Sequence, residues 1–302
     1  MIIKKEQKGN VTVYYVDKEI TDEKMESYKN KKVRPTQIKL IINDNADVYS
    51  KEGSLLLKFR KGKLPQNHIN EFYDNVIDFA SLTTNNRGSA TGSKKKNVYD
   101  NPKIMTNIIG YFDTFSPKQK MLMTRNNIKL IEARETRFNM DYPDKYEKLL
   151  PLVKDIDSLY KKIIPDKYLK QKKKANQIHF KIPNTSFTTI TTNVNFQTTI
   201  HKDVGDDIDG FGNLSVIEKG KYTGGETCFP QYGIGVNVRT GDILFMDVHE
   251  WHGNLPIHLV DKDAVRLSIV CYLRYKVWLN TKNKSKKFMI KHNKTVKNLR
   301  GK

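Results

Sequence analysis

The chain reads as an α+β protein with a mainly β core, in which helices and a few strands precede an antiparallel jelly roll. Three observations carry this. From Phe180 to Tyr275, Val, Ile, Thr, Phe and Tyr recur in short runs broken by Gly, Asp and Asn, the rhythm of short strands joined by tight turns. Ahead of that stretch, apolar residues repeat at helical spacing in two long windows. A length of 302 residues with 37% hydrophobic content is enough to bury a real core. No apolar run approaches the ~20 residues that a membrane span needs.

The first 50 residues hold two strand-like runs, VTVYYV and QIKLII, separated by charged turns, and no role can be read from them. SLLLKFRKG (54–62) reads as a buried strand. Pro65 opens a helix whose Ile69, Phe72, Tyr73, Val76, Ile77 and Ala80 share one face. It runs into TTNNRGSATGSKKK (83–96), where Asn and Gly tolerate the turns needed to carry Asn86 and Arg87 over a site. A plain flexible linker is the other reading of that loop. IMTNIIGYF (104–112) is a second buried strand. Leu149, Leu152, Val153, Ile156, Leu159, Tyr160 and Ile163 mark an amphipathic helix from about Asp144 to Ile164. KYLKQKKK (167–174) is a basic run, either a solvated connection or a phosphate contact. Beyond Lys276 no acidic residue occurs, and Trp278, Phe288 and His292 are interleaved with lysines, the mixture a nucleic-acid contact uses. A disordered, solubilising tail accounts for those lysines as well. The chain therefore divides into an N-terminal segment of no assigned role (1–53), a helical and strand support region (54–179), the β core (180–275) and a basic tail (276–302).

The formal charge is +21 and the isoelectric point near 9.7. An excess of this size, clustered rather than spread, points to a polyanionic partner, nucleic acid first. A Lys- and Asn-rich coding bias would produce the same excess without a partner. Only two cysteines occur, Cys228 and Cys271, both in strand-like runs, so two reduced core thiols are expected. They exclude a Cys-rich zinc module within the chain. MIIKKEQKGN lacks the apolar core of a secretory signal, so a soluble protein of the cytoplasm or nucleus is expected, with no membrane association. Its oligomeric state cannot be read.

The chemistry lies between His201 and Ser268. In a strand, residues i and i+2 face the same side, so His201-Lys202-Asp203 presents an imidazole and a carboxylate to one point, as neighbouring ligands of a metal. A third ligand comes from His252 or His249, just past the strand-like GDILFMD. Gly253 leaves room beside His252, which makes it the choice, with His249 in a supporting position. Two His and a carboxylate leave positions open for substrates on an octahedral ion, the arrangement of non-haem Fe(II) oxygenases, although zinc hydrolases use the same set. Arg266 and Ser268, two residues apart on the next strand, offer a guanidinium fork and a hydroxyl suited to the far end of a small dicarboxylate. A zinc hydrolase has no use for that pair.

The segments HKD, YTGGETCFP, GDILFMDVHEWHGN and RLS resemble those of the 2-oxoglutarate and Fe(II)-dependent dioxygenases. Within them the chain is most similar to the TET/JBP branch, which oxidises the methyl group of thymine or 5-methylcytosine in nucleic acid. The resemblance is specific from about Phe180 to Tyr275, and LLLKFRKGKLP and TTNNRGSATG extend it to about residue 54. It implies a double-stranded β-helix with flanking helices. It implies Fe(II) held by His201, Asp203 and His252, O2 as oxidant, and the 2-oxoglutarate C5 carboxylate on Arg266 with help from Ser268. Gly224-Gly225 would turn the chain beside the site. Asn195 is a further candidate on the co-substrate side; Arg87, Asn86, Tyr222 and His249 are candidates on the substrate side. The chain departs from the animal TET enzymes in lacking a Cys-rich region, and it shows no separate base-J-binding module. Three rivals remain: a prolyl or lysyl protein hydroxylase with the same chemistry, a small-molecule hydroxylase, which leaves the charge excess unexplained, and a catalytically inactive nucleic-acid-binding module.

Overall fold

The computed structural model describes residues 1–300, in two compact units. The first comprises Met1–Asn107, Thr192–Val204 and Gly212–Val270; the second comprises Ile108–Thr191, Gly205–Phe211 and the chain from Cys271 onward.

The first unit is built from two main sheets and a two-stranded one, Tyr222–Gly224 with Ile257–Leu259. In the larger, Ile2–Lys8 pairs antiparallel with Val11–Val16, which pairs parallel with Ala46–Ser50. Leu55–Arg60 follows antiparallel, then Ile243–Met246, Gly212–Lys219 and Val265–Tyr272 in that order. The smaller sheet runs Gly253–Asn254, Thr227–Phe229, Ile234–Val236 and Leu40–Ile42. Alternate residues of each strand face inward, so the apolar sets of the two sheets meet in one core. Val48, Leu57, Phe59, Leu214, Leu244 and Met246 from one sheet pack with Ile42, Phe229, Ile234 and Val236 from the other. This is the jelly roll that the rhythm of residues 180–275 predicts, in the double-stranded β-helix form that the family resemblance implies. The expected helix is present as Gln66–Ala80, entered through Pro65, with Ile69, Phe72, Val76 and Ala80 buried. The 1–53 segment, which had no readable role, supplies four strands to these sheets.

The second unit is mainly helical: Pro117–Arg125, Arg137–Asp141, Pro143–Ile163, Pro165–Ala175, Tyr275–Thr281 and Lys286–Arg300. The long helix buries Leu149, Leu152, Val153, Ile156 and Tyr160 as their spacing requires. It also buries Asp157, whose carboxylate accepts hydrogen bonds from the Ser186 amide (2.7 Å) and hydroxyl (2.6 Å) and the Tyr168 hydroxyl (3.1 Å). Two readings of the sequence change here. The basic run 167–174 is helix rather than a loose connection, with Lys170 and Lys173 exposed. The tail is two helices rather than disordered chain, and its aromatic residues do not face outward for nucleic acid. Phe288 and His292 stack at 5.8 Å, the His292 ring meets Phe180 at 5.6 Å, and Trp278 Nε1 donates to Gln177 Oε1 (2.8 Å). Apolar positions 288, 292, 296 and 299 fall on one helical face, and burying that face docks the segment.

Both cysteines are buried, unpaired thiols, as expected. Among the described residues no helix is long and apolar enough to cross a membrane.

Candidate active site

Backbone pairing brings the three expected metal ligands together. His201 and His252 form a single antiparallel bridge, each amide donating to the other's carbonyl (2.9 and 3.0 Å). The Asp203 amide donates to Val248 O (2.9 Å), so the turn after Ile243–Met246 fixes both ends of the His-Lys-Asp segment. That segment is one bridge rather than a regular strand, yet it still turns residues 201 and 203 to the same side. Lys202 points elsewhere, its ammonium 5.1 Å above the buried Trp251 ring.

The ligand atoms of His201, Asp203 and His252 all lie within 4.8 Å of one another, near enough for one ion to join them. His201 Nδ1 faces Thr199 O (2.6 Å) and His252 Nδ1 faces Glu250 O (2.9 Å). A carbonyl can only accept, so both Nδ1 atoms carry hydrogen and both Nε2 lone pairs are left for a metal. Each Nε2 stands 3.6 Å from a different Asp203 oxygen, too far for a hydrogen bond. Burial and then the charge of His252 push His201 down to about 4, keeping it neutral and ligating near neutral pH. Burial disfavours the Asp203 charge, but His252, His201 and Arg87 outweigh it and hold the carboxyl well below the usual carboxylate range. Burial likewise opposes protonation of His252, and Asp203 overcomes it, raising His252. The Asp203 side chain is 35% exposed, so the cluster opens to solvent on the carboxylate side.

Arg266 and Ser268 share the inward face of the Val265–Tyr272 strand. Arg266 is 4% exposed, and among the described residues no carboxylate closes an ion pair on its guanidinium. Burial, the largest influence, lowers its pKa; Glu218 and Glu226 act on it only at a distance. A buried, unpaired guanidinium is costly unless an anion fills the space before it. Gly225 leaves room beside the guanidinium, and Gly224 precedes it in the same turn. Both have left-handed φ (77° and 79°), and a Cβ on Gly225 would stand 2.8 Å from Arg266 Nε, while one on Gly224 would strike Pro256 O. The donor set thus fits a divalent metal beside a carboxylate-bearing ligand.

The other candidates divide. Asn195 stands beside Arg266 and spends its side chain on backbone: Oδ1 accepts from the Arg266 amide (2.7 Å) and Nδ2 donates to Ala264 O (2.8 Å). Its left-handed φ of 47° is one that Asn tolerates. Tyr222 is buried, its hydroxyl pushed up to about 12 first by burial, and Arg239 lies 4.6 Å from its ring. Arg87 precedes the short Gly88–Thr91 helix and its charge reaches His201 and Asp203; Asn86 is exposed. His249 is outside the three-ligand cluster. Two residues the sequence reading missed matter here. Asn193 donates to Ser268 Oγ (3.2 Å) and Asn254 Oδ1 accepts from the Thr198 amide (2.8 Å), holding the segment that leads to His201. Neither Asn193, in the Thr-rich strand Thr189–Val194, nor Asn254, beside Gly253, carries a local signal for such long-range contacts.

Comparison with known proteins agrees with this geometry. Residues 123–275 match the Tet_JBP family, described as the oxygenase domain of the 2OGFeDO superfamily, a span that includes the three ligands, Arg266 and Ser268. The bifunctional helicase and thymine dioxygenase JBP2 of Trypanosoma cruzi is 33% identical over 200 residues, 66% of this chain and 17% of that protein. The thymine dioxygenase JBP1 of Trypanosoma brucei brucei is 28% identical over 201 residues, 66% of this chain and 22% of that protein. The chain therefore spans about a fifth of the length of these curated relatives. The solved structure of NgTET1 in complex with 5mC DNA superposes with a TM-score of 0.54 at 17% identity, over 95% of this chain and 90% of that one, and shares the fold. Proteins of this superfamily generally use Fe(II), 2-oxoglutarate and O2. Fold, cluster and matched span agree: the chain belongs to the Tet_JBP family of 2-oxoglutarate/Fe(II) oxygenase domains.

Proposed function

We propose that this protein is a 2-oxoglutarate- and Fe(II)-dependent dioxygenase that hydroxylates the methyl group of a nucleobase, thymine or 5-methylcytosine, in DNA. The observation that carries the reading is the buried Arg266 guanidinium without a carboxylate partner, on the same unit as the His201–Asp203–His252 cluster. His201, Asp203 and His252 would hold the iron through two imidazole nitrogens and one carboxylate oxygen. Iron, when bound with 2-oxoglutarate, supplies oxidation of an unactivated C–H bond by O2, with succinate and CO2 as co-products.

Arg266 would take the far carboxylate of 2-oxoglutarate in its fork, with the Ser268 hydroxyl alongside and Asn193 orienting that hydroxyl. Asn195 fixes the backbone from which Arg266 projects. Arg87 adds positive potential at the exposed side of Asp203, where an anionic substrate would approach. The low exposure of Arg266 and His252 would limit water on their side of the cluster, while the exposed Asp203 side stays open for substrate to enter. A base stacked in a duplex cannot reach buried side chains, so the target nucleotide would leave the stack. The relatives named as thymine dioxygenases and the DNA-bound structural neighbour support a nucleobase over a protein side chain, as does the net charge of +21.

Succinate release tests this with two duplexes. One carries thymine and 5-methylcytosine; the other has uracil and unmethylated cytosine, so no base bears a methyl group. Succinate formation stimulated by the first and not the second is expected. Equal stimulation by both, or by neither while an acidic lysine- or proline-containing peptide stimulates it, would overturn the nucleobase assignment.

A further inference from the structure

The sequence contains two strongly basic segments, and the structure uses them differently. In the Pro165–Ala175 helix three of the five lysines are engaged internally, and only Lys170 and Lys173 are exposed. Lys174 pairs with Asp207 and Asp209, Lys172 comes within 4.0 Å of Asp157, and Lys167 lies 5.0 Å over the Phe211 ring. The Lys286–Arg300 helix is the opposite case. Its inward side is taken by Phe288, Met289, His292, Val296 and Leu299. Its outward side carries Lys286, Lys287, Lys291, Lys294 and Lys297 around Ile290. Among the described residues none of these five lysines closes an ion pair with a carboxylate; only Lys297 exerts a field on one, Glu135. No acidic residue follows Asp263 in the chain. The unit that contains this helix holds 28 of the 54 basic residues but only 12 of the 33 acidic ones, so +16 of the +21 resides there.

We propose that the outward face of the Lys286–Arg300 helix is a docking surface for the sugar-phosphate backbone of duplex nucleic acid, with Lys287, Lys291 and Lys294 as its phosphate contacts. Those residues follow one another at i, i+4 and i+7, on one side of the helix. At about 1.5 Å of rise per residue they span roughly 10 Å, the rise of about three phosphates along one strand. Lysine suits this use, a compact charge on a flexible stem that needs no fixed geometry. An anionic membrane is the weaker partner, because an interfacial helix needs a free apolar face and here that face is packed inward. The surface lies beyond the family-matched span 123–275. It rests on the nucleic-acid reading of function and adds a contact separate from the site residues.

The test is the salt dependence of full-length protein binding to a labelled duplex, followed by fluorescence anisotropy. The Lys287→Ala/Lys291→Ala/Lys294→Ala protein is compared with wild type and with Lys148→Ala/Lys154→Ala/Lys161→Ala. The second variant removes equal charge from exposed positions of the Pro143–Ile163 helix. Each lost phosphate contact lowers the slope of log K against log salt by about 0.9, so the first variant is expected to lose between about 2 and 3 and the second less than about 1. An unchanged slope in the first variant overturns the surface. So does an equal fall in both, which would mean a diffuse field, or an unchanged DNA slope with lost binding to phosphatidylserine vesicles. Nucleoside oxidation is scored separately. Turnover with a slope unaffected by the first variant sinks the surface and spares the activity. A slope that falls as expected in a protein that oxidises no base sinks the activity and spares the surface.

Discussion

Replacing Arg266 by Met keeps much of the side chain's volume and removes its charge, and the structure assigns opposite signs to the two consequences. Without ligand, the guanidinium is 4% exposed and closes no ion pair among the described residues, so its charge is a burden on the fold. Arg266→Met is therefore expected to leave the ligand-free unfolding midpoint unchanged or higher. With ligand, two charge-assisted hydrogen bonds to a carboxylate are lost, together worth about 3 kcal/mol, which weakens 2-oxoglutarate roughly 150-fold. At a concentration 100 times the wild-type Kd, the ligand stabilises wild type by about 2.7 kcal/mol. In the variant the same concentration is about 0.7 Kd, and the stabilisation shrinks to about 0.3 kcal/mol. Chemical denaturation with a redox-inert divalent metal, with and without 2-oxoglutarate, reads both quantities. A variant that loses about 3 kcal/mol without ligand and keeps the full ligand effect would refute the reasoning. Arg266 would then be a structural ion-pair partner, and the space before it would have another use.

Alanine at His201, Asp203 or His252 should each abolish stoichiometric binding of a divalent metal, while His249→Ala should retain it; metal analysis after desalting checks this, and the reverse result for the two histidines would reassign the third ligand. Gly224→Ala should cost about 2 kcal/mol or more in urea denaturation, because a left-handed residue would also collide with Pro256 O in the Tyr222–Gly224 to Ile257–Leu259 pairing. Gly225→Ala should act mainly on Arg266, weakening 2-oxoglutarate tenfold or more in calorimetry, and an unaltered affinity would mean that the guanidinium has slack. His292 is buried with Nε2–H donating to Ala133 O (2.6 Å), and burial depresses its pKa below the unfolded value near 6.5. Below pH 6.5 the unfolded chain binds the extra proton, so this contribution is present above that pH and is lost as pH falls towards the folded pKa. His292→Phe should flatten the stability profile between pH 7 and 5; an unchanged profile would show that another group carries it.

The parts of the site legible in the sequence are those set by local periodicity. His201 and Asp203 face one way because they are two residues apart on extended chain, and so do Arg266 and Ser268. The choice of His252 over His249 rested on a neighbouring glycine and matches the geometry because residue 252, not 249, pairs with His201. What stayed hidden depends on distant pairing. Nothing near Asn193, Asn195 or Asn254 announces the backbone and hydroxyl groups they hold, and the two strand-like runs of the first 53 residues have no readable role until Leu40–Ile42 is seen beside Ile234–Val236. The tail misled for another reason. Its lysines mask a helical repeat of Phe288, His292, Val296 and Leu299, so His292, which read as a ligand contact, is buried, and Phe288 is partly buried against the core.

The central claim is oxidation of a nucleobase methyl group by the Arg266-bearing site. Its most direct test is mass spectrometry of nucleosides from duplex DNA containing thymine and 5-methylcytosine, incubated with protein, Fe(II), ascorbate and 2-oxoglutarate. The account predicts a hydroxymethylated nucleoside that requires 2-oxoglutarate, appears alongside succinate, and is absent with Asp203→Ala and strongly reduced with Arg266→Met. Succinate accumulating with every nucleoside unchanged, from protein with iron confirmed bound, would contradict it.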